Sequence, residues 1–152
     1  MRYVIFSFWF ILIHTAAYVF AGALALKISK NLYEEQERVI DYVRDMSDDI
    51  EKKHVEKWFL PAQLVRGLLL SIVLYPILNL LGETSWLLRF LFFSSLMFIY
   101  TDVASAVPFP HNIEGFVYMK PKYLKRNAVG KLYFEIIIYS IVFGFLISWF
   151  SF

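Results

Sequence analysis

Cysteine is absent from this chain. That excludes disulfides, thiolate metal sites and cysteine nucleophiles, while leaving the redox compartment open. Glycine and proline are scarce, six and five among 152 residues, so long segments run without a helix breaker. There is no Asn-x-Ser/Thr sequon, lipidation motif, internal repeat, phosphate-cradling glycine loop or nucleotide fingerprint. Nothing in the sequence calls for a cofactor, and no serine–histidine–acid pattern marks a hydrolase.

Charge is nearly missing from four stretches, residues 3–26, 60–81, 86–107 and 132–152, which together cover more than half the chain. Each exceeds 18 residues, and a helix rising about 1.5 Å per residue needs about 20 to cross a ~30 Å hydrocarbon core. Soluble helices keep a polar face that these lack. The sequence therefore predicts an all-α, multi-pass integral membrane protein, a four-transmembrane-helix bundle forming one domain. Trp58, Trp86 and Trp149 fall near segment ends, where an amphipathic ring prefers the headgroup level. Ala23-Leu24-Ala25 looks like a signal-peptidase site. The apolar run before it exceeds the usual 7–15 residues of a signal core, so the first stretch reads as a retained helix.

Of the fifteen lysines and arginines, all but Arg2, Arg66 and Arg89 lie in two connections, 27–59 and 108–131. By the positive-inside rule both connections face the cytoplasm of a plasma (inner) membrane, and both termini lie on the other side. The connection 82–85 is so short that helices two and three should be antiparallel neighbours.

The first connection predicts a cytoplasmic helical hairpin over 27–59. Leu32, Val39, Val43, Met46 and Ile50 form one apolar stripe at helical spacing. Asn31 with Glu34, and Asp48 with Glu51, resemble capping boxes, giving arms near 31–46 and 48–59 with a turn at Ser47-Asp48-Asp49. Pro61 then suits the first turn of the second membrane helix. The stripe packs the two arms together, docks another subunit or a soluble partner, or both; its length is hard to bury in two helices alone, which favours some oligomeric contact. In the second connection Pro108, Pro110, Gly115 and Pro121 predict that 107–121 is irregular or contains a short strand at 116–119. The cluster Lys120, Lys122, Lys125 and Arg126 suits anionic lipid headgroups. It has neither the motif nor the breadth of a nucleic-acid surface.

Ionisable groups inside a bilayer face protein or water, because lipid exposure costs several kcal/mol. Arg66, Asp102 and Glu135 lie on three helices, roughly 6–9 Å inside the loop-side ends by helix rise, and form a predicted polar cluster. His14 shares a face with Ala17, Ala21 and Ala25, a small-xxx-small ridge that predicts a close helix interface. Arg89, near the other end, is placed to snorkel. His111 and Glu114 could join Asp102 and Glu135 at a metal, but the spacing defines no geometry, and no metal site is assigned.

The leading expectation is a non-catalytic membrane subunit that anchors, senses or regulates a complex, self-associating and docking a cytoplasmic or membrane partner through hairpin and basic loop. A bacterial membrane-disturbance or phage-defence sensor is one setting. The alternatives are a small oligomeric ion or proton channel or transporter using Arg66, Asp102 and Glu135, and a lipid enzyme at the membrane interface. The last predicts a hydrophilic cleft that includes the 111–114 loop.

Overall fold

The computed structural model describes residues 1–28, 32 and 40–152. The described residues are helical with no strand: α1 (Arg2–Ile28), α2 (Asp49–Val73), α3 (Leu78–Glu83), α4 (Trp86–Ser95), α5 (Ile113–Tyr118) and α6 (Arg126–Phe150). Leu96–Val103 extends α4 as π-helix, and Tyr75–Ile77 and Pro121–Tyr123 are 3-10 turns. Arg2–Ile28, Trp86–Val103 and Arg126–Phe150 are long and apolar enough to cross a membrane. Asp49–Val73 with Tyr75–Glu83, bent by 45°, makes a fourth if the pair is one span. This is the architecture of an all-α membrane protein. The bend falls at Pro76, which has no N–H for the helix ladder and whose ring crowds the preceding turn.

Two expectations about the connections are corrected. Residues 40–48 form turns, whereas helix was expected through Met46, so the described residues contain no two-armed hairpin. The Asp45 carboxylate accepts from the Ser47 amide at 2.8 Å and its hydroxyl at 2.6 Å, a local bond that competes with the helix ladder. Asp48 then caps α2, accepting from the amides of Ile50 and Glu51, both at 2.9 Å. Helix thus starts at Asp49 and runs unbroken into the apolar stretch, leaving Pro61 inside it instead of in its first turn. Asn31, Glu34 and Val39 lie outside the described residues.

In the second connection, expected to be irregular or to hold a short strand, the chain instead forms α5, capped by Asn112, whose side-chain oxygen accepts from the Gly115 amide at 2.7 Å. The third apolar segment stops being helical after Val103, short of residue 107. Its last part is π-helical, with the Ala104 amide donating to the Ile99 carbonyl at 2.8 Å.

Packing follows small residues. α1 sits between α2 and α6, and α6 in turn packs on α4. Ala17, Ala21 and Ala25 of α1 are buried. On α6, Ser140, Gly144 and Ser148 recur every four residues and are buried too. A Cβ added to Gly144 would stand 2.9 Å from the Ser94 amide nitrogen and 3.1 Å from the Phe90 carbonyl oxygen of α4. Among the described residues, the expected seam between the second and third segments has no counterpart of this extent. The turn at 84–85 joins their ends, but the close-packing residues lie on other pairs. Phe6, Phe10, Phe93, Met97, Phe143 and Ile147 fill the centre.

Gly144→Ala should destabilise the fold by about 1–3 kcal/mol, since backbone atoms of α4 block the new methyl. Gly22→Ala, with open space around its Cβ position, should leave stability unchanged or raise it slightly. Thermal unfolding in detergent by circular dichroism separates the two, and equal midpoints would refute the close crossing.

Candidate functional site

At the loop-side ends of the helices a cavity of about 210 Å³ lies between all four apolar segments. Arg66 from α2, Asp102 from the π-helical turn and Glu135 from α6 line it, together with Tyr18, Tyr139 and His111. Three helices thus bring the three sequence-predicted ionisable groups to one space. The arrangement differs from a simple charge triplet. Asp102 pairs with Nε2 of His111, a residue of the loop. The Arg66 guanidinium lies 5.8 Å from the ring centroid of Tyr18. Glu135 contributes a half-buried carboxylate to the same wall.

His111 is only 7% exposed. Its ring stands edge-on to Phe109 and Tyr133, at 5.3 and 5.6 Å, and its Nδ1 has no hydrogen-bond partner. A buried ring nitrogen without a partner is costly unless a ligand or water meets it. Asn112 holds the loop that delivers this histidine. Its oxygen accepts from the amides of Gly115 and Phe109, at 2.7 and 3.0 Å, and its amide donates to the Val107 carbonyl at 2.7 Å. The π-helical turn supplies the other half, because an extra residue in a turn re-aims the side chains beyond it.

Below the cavity, the Tyr139 hydroxyl meets Nδ1 of fully buried His14 at 2.6 Å, and Nε2 of His14 donates to Gln63 Oε1 at 3.2 Å. A side-chain oxygen of glutamine only accepts, so Nε2 carries a proton, while the Tyr139 hydroxyl also lies within donating reach of Met97 Sδ at 3.4 Å. Further along the α1–α2 seam Ser7 bonds Ser71 and Tyr75, both at 2.7 Å, and Arg2 donates to Asn79 at 2.7 Å. The chain of polar contacts stops between His14 and Ser7. There, a Cβ on Gly67 would stand 3.1 Å from the Ile11 Cα, so backbone meets backbone. Arg89, at the far end, stacks on Phe152 at 5.0 Å and donates to the Gly82 carbonyl.

The remaining predicted residues divide. Leu32 is buried with Ile40, Ala128 and Leu132, and Val43 packs against them, so this part of the docking stripe turns into the chain's own core. Met46 is half-buried and Ile50 is 81% exposed, while Val39 lies outside the described residues. Lys122 pairs with Asp41 at 2.8 Å, and Lys120, Lys125 and Arg126 are exposed. Among the described residues no group of three histidine or acidic side chains could hold a metal. Sequence reasoning missed Asn112, Tyr139 and Gln63; it weighed His111 with Glu114, Asp102 and Glu135 as metal ligands, and of these His111 pairs directly with Asp102. No protein-family model, curated protein or solved structure matches the chain.

Beside the cavity, Asp41 also accepts from the Tyr123 hydroxyl at 2.7 Å, and Tyr42 stands edge-on to Tyr123 and Phe109. Hydrogen bonds from Lys122 and Tyr123 hold the Asp41 carboxyl below the usual carboxylate range, and the bond to Asp41 raises Lys122. The tie is therefore complete above about pH 4, the ordinary aspartate value, and is lost as pH falls through the lowered one. On the alkaline side it is complete below about pH 10.4 and is lost as pH rises through the raised lysine value. Burial pushes Tyr42 up to about 12, so folding keeps its proton and the contribution disappears as pH rises through that value. An ultraviolet phenolate titration should lose one group ionising near 12 in Tyr42→Phe. Loss of a group at the ordinary tyrosine value of about 10 would contradict the packing.

Asn112→Ala strands two amides and a carbonyl, and should open the 107–115 loop by about 1–3 kcal/mol. Amide exchange at Phe109 and Gly115 should speed up accordingly, with the α1 core unaffected. Unchanged protection at both amides would remove Asn112 as the organiser.

Proposed function

We propose that the protein is a membrane-embedded receptor for the polar end of a lipid, held in the four-helix cavity at the cytoplasmic interface. It is non-catalytic in this reading, and the lipid-filled state is what it reports to a complex. The observation that carries it is the convergence of Arg66, Asp102 with His111, and Glu135 from four separate chain segments on one cavity. Ionisable groups at a bilayer boundary lower stability unless they are paired or used. Here a loop residue is drawn in to pair one of them while its second ring nitrogen stays unpartnered.

The chemistry suits a headgroup. An arginine offers a planar fork to a phosphate, a carboxylate accepts from a hydroxyl or ammonium, and an imidazole whose Nε2 donates to a carboxylate leaves Nδ1 to accept when the ring is neutral. About 210 Å³ is well above the roughly 10–15 Å³ one water needs and below the roughly 300–1,000 Å³ of pockets that enclose drug-sized ligands. The acyl chains would stay in the bilayer. The positive-inside asymmetry supports the orientation, four spans per chain complete the scaffold, and exposed Ile50 with Met46 is the surface left for a second copy or a protein partner.

Native mass spectrometry of the purified protein, with phosphorus quantification of the retained lipid, tests the receptor. Wild type should retain a phospholipid through delipidation. Arg66→Gln should weaken retention roughly ten- to hundredfold, the worth of charge-assisted hydrogen bonds. Arg89→Gln, at the far end, should not. Equal retention in wild type and Arg66→Gln would refute the site.

A second reading draws on Tyr139, which both lines the cavity and bonds His14. It is proton handling between the cavity and the bilayer centre. The Gly67–Ile11 contact interrupts that route within one protomer, which favours the receptor. Proton flux in liposomes that disappears with Tyr139→Phe would reverse the order.

A further inference from the structure

α5 lies outside the long apolar helices, tethered by the short connections 104–112 and 119–125 to the two segments on either side. Its Gly115 side turns inward, where an added Cβ would stand 2.5 Å from the Phe109 carbonyl carbon. Ile113, Phe116 and Val117, spaced i, i+3 and i+4, occupy the opposite face. They are 59%, 79% and 63% exposed, and Val107 and Tyr118 extend the patch. Large apolar clusters of this kind on a surface mark a binding face. The residues that follow identify what it binds. Lys120, Lys125 and Arg126 are all exposed, and Glu114 is the only acidic residue between Asp102 and Glu135. The tethers start from the loop-side ends of the flanking helical segments, at Val103 and Arg126.

We infer that the Ile113–Phe116–Val117 face is a surface anchor, inserted at the headgroup–acyl boundary of the loop-side leaflet with Lys120, Lys125 and Arg126 on its anionic headgroups. An amphipathic face flanked by cations binds such a surface through buried apolar area and electrostatic attraction together. The anchor is separate from the headgroup cavity but mechanically joined to it. Asn112 caps α5, and its neighbour His111 reaches Asp102, so the membrane surface braces the cavity wall.

The cysteine-free chain allows single-site labelling without a background. Phe116→Cys, Val117→Cys and, as control on the exposed start of α2, Lys53→Cys carry an environment-sensitive fluorophore in the full-length protein. The proteins are reconstituted in phosphatidylcholine vesicles with or without phosphatidylglycerol. Labels at 116 and 117 should be quenched by lipids spin-labelled near the headgroup–acyl boundary and protected from aqueous iodide, with the reverse at 53. Combining Lys120→Gln, Lys125→Gln and Arg126→Gln should weaken lipid quenching about twofold or more in anionic vesicles alone. Should Phe116→Cys fail to fold, Val117→Cys carries the test. Iodide access equal to that at 53 would overturn the anchor. So would protection from both quenchers, which would mean that protein covers the face. Quenching that ignores the triple substitution would overturn the headgroup contact.

Discussion

A polar side chain carried into hydrocarbon must be met by another polar group, and the arrangement of these helices follows from where such meetings are possible. α1 carries Arg2, Ser7 and His14 along its length, and α2 with the bent segment after it carries Asn79, Ser71 with Tyr75, and Gln63 in the reverse order. Only an antiparallel pairing in one register satisfies all three levels at once. Apolar packing against lipid gives no such register, since a leucine is as comfortable among acyl chains as among other leucines. The hydrogen bonds therefore specify the alignment, and the small residues of α1 and α6 let the backbones come close enough to make it.

That alignment decides where the cavity lies. With α1 fixed against α2 and α6, Tyr18 and Tyr139 form the floor of a space whose walls are completed by Arg66, Glu135 and the π-helical turn bearing Asp102. The fourth wall comes from a loop. A loop residue enters a helical bundle only if its own backbone is satisfied, and Asn112 does this for three backbone groups with one side chain. Stability of the loop and chemistry of the cavity are thus adjacent in sequence but held by different residues, Asn112 for the first and His111 for the second.

The membrane helices were legible because the signal is length and the absence of charge, which survive without any knowledge of neighbours. Depth along a helix likewise located Arg66, Asp102 and Glu135, since rise per residue converts number into position. The ridge Ser140, Gly144 and Ser148 has the same four-residue interval as Ala17, Ala21 and Ala25, but the sequence reading singled out only the alanines. The connections were not. A stripe at helical spacing ran through 32–50, but the Asp45 side chain diverts the backbone at Ser47, an effect of hydrogen bonding that spacing does not register. Proline and glycine near α5 argued against helix, yet Gly115 is there because Phe109 leaves no room for a Cβ, and Asn112 is enough to start one turn. His111 was weighed beside Asp102 as a metal ligand, but a loop has no fixed rise from which to count, so their direct pair was not read.

The same geometry weighs a static site against a conduit. A path across the bilayer needs polar or water-filled space at every level, and the α1–α2 seam has polar pairs at three levels with tightly packed backbone between two of them. Where Gly67 lies on Ile11 there is no volume for water, and opening it would require separating the two helices whose hydrogen bonds set the register. A cavity closed on its deep side by Tyr139, His14 and the aromatic core needs no such movement to receive a headgroup from the loop side. The buried bonds that hold the bundle together are the ones a conduit would have to break, and the ones a receptor leaves intact.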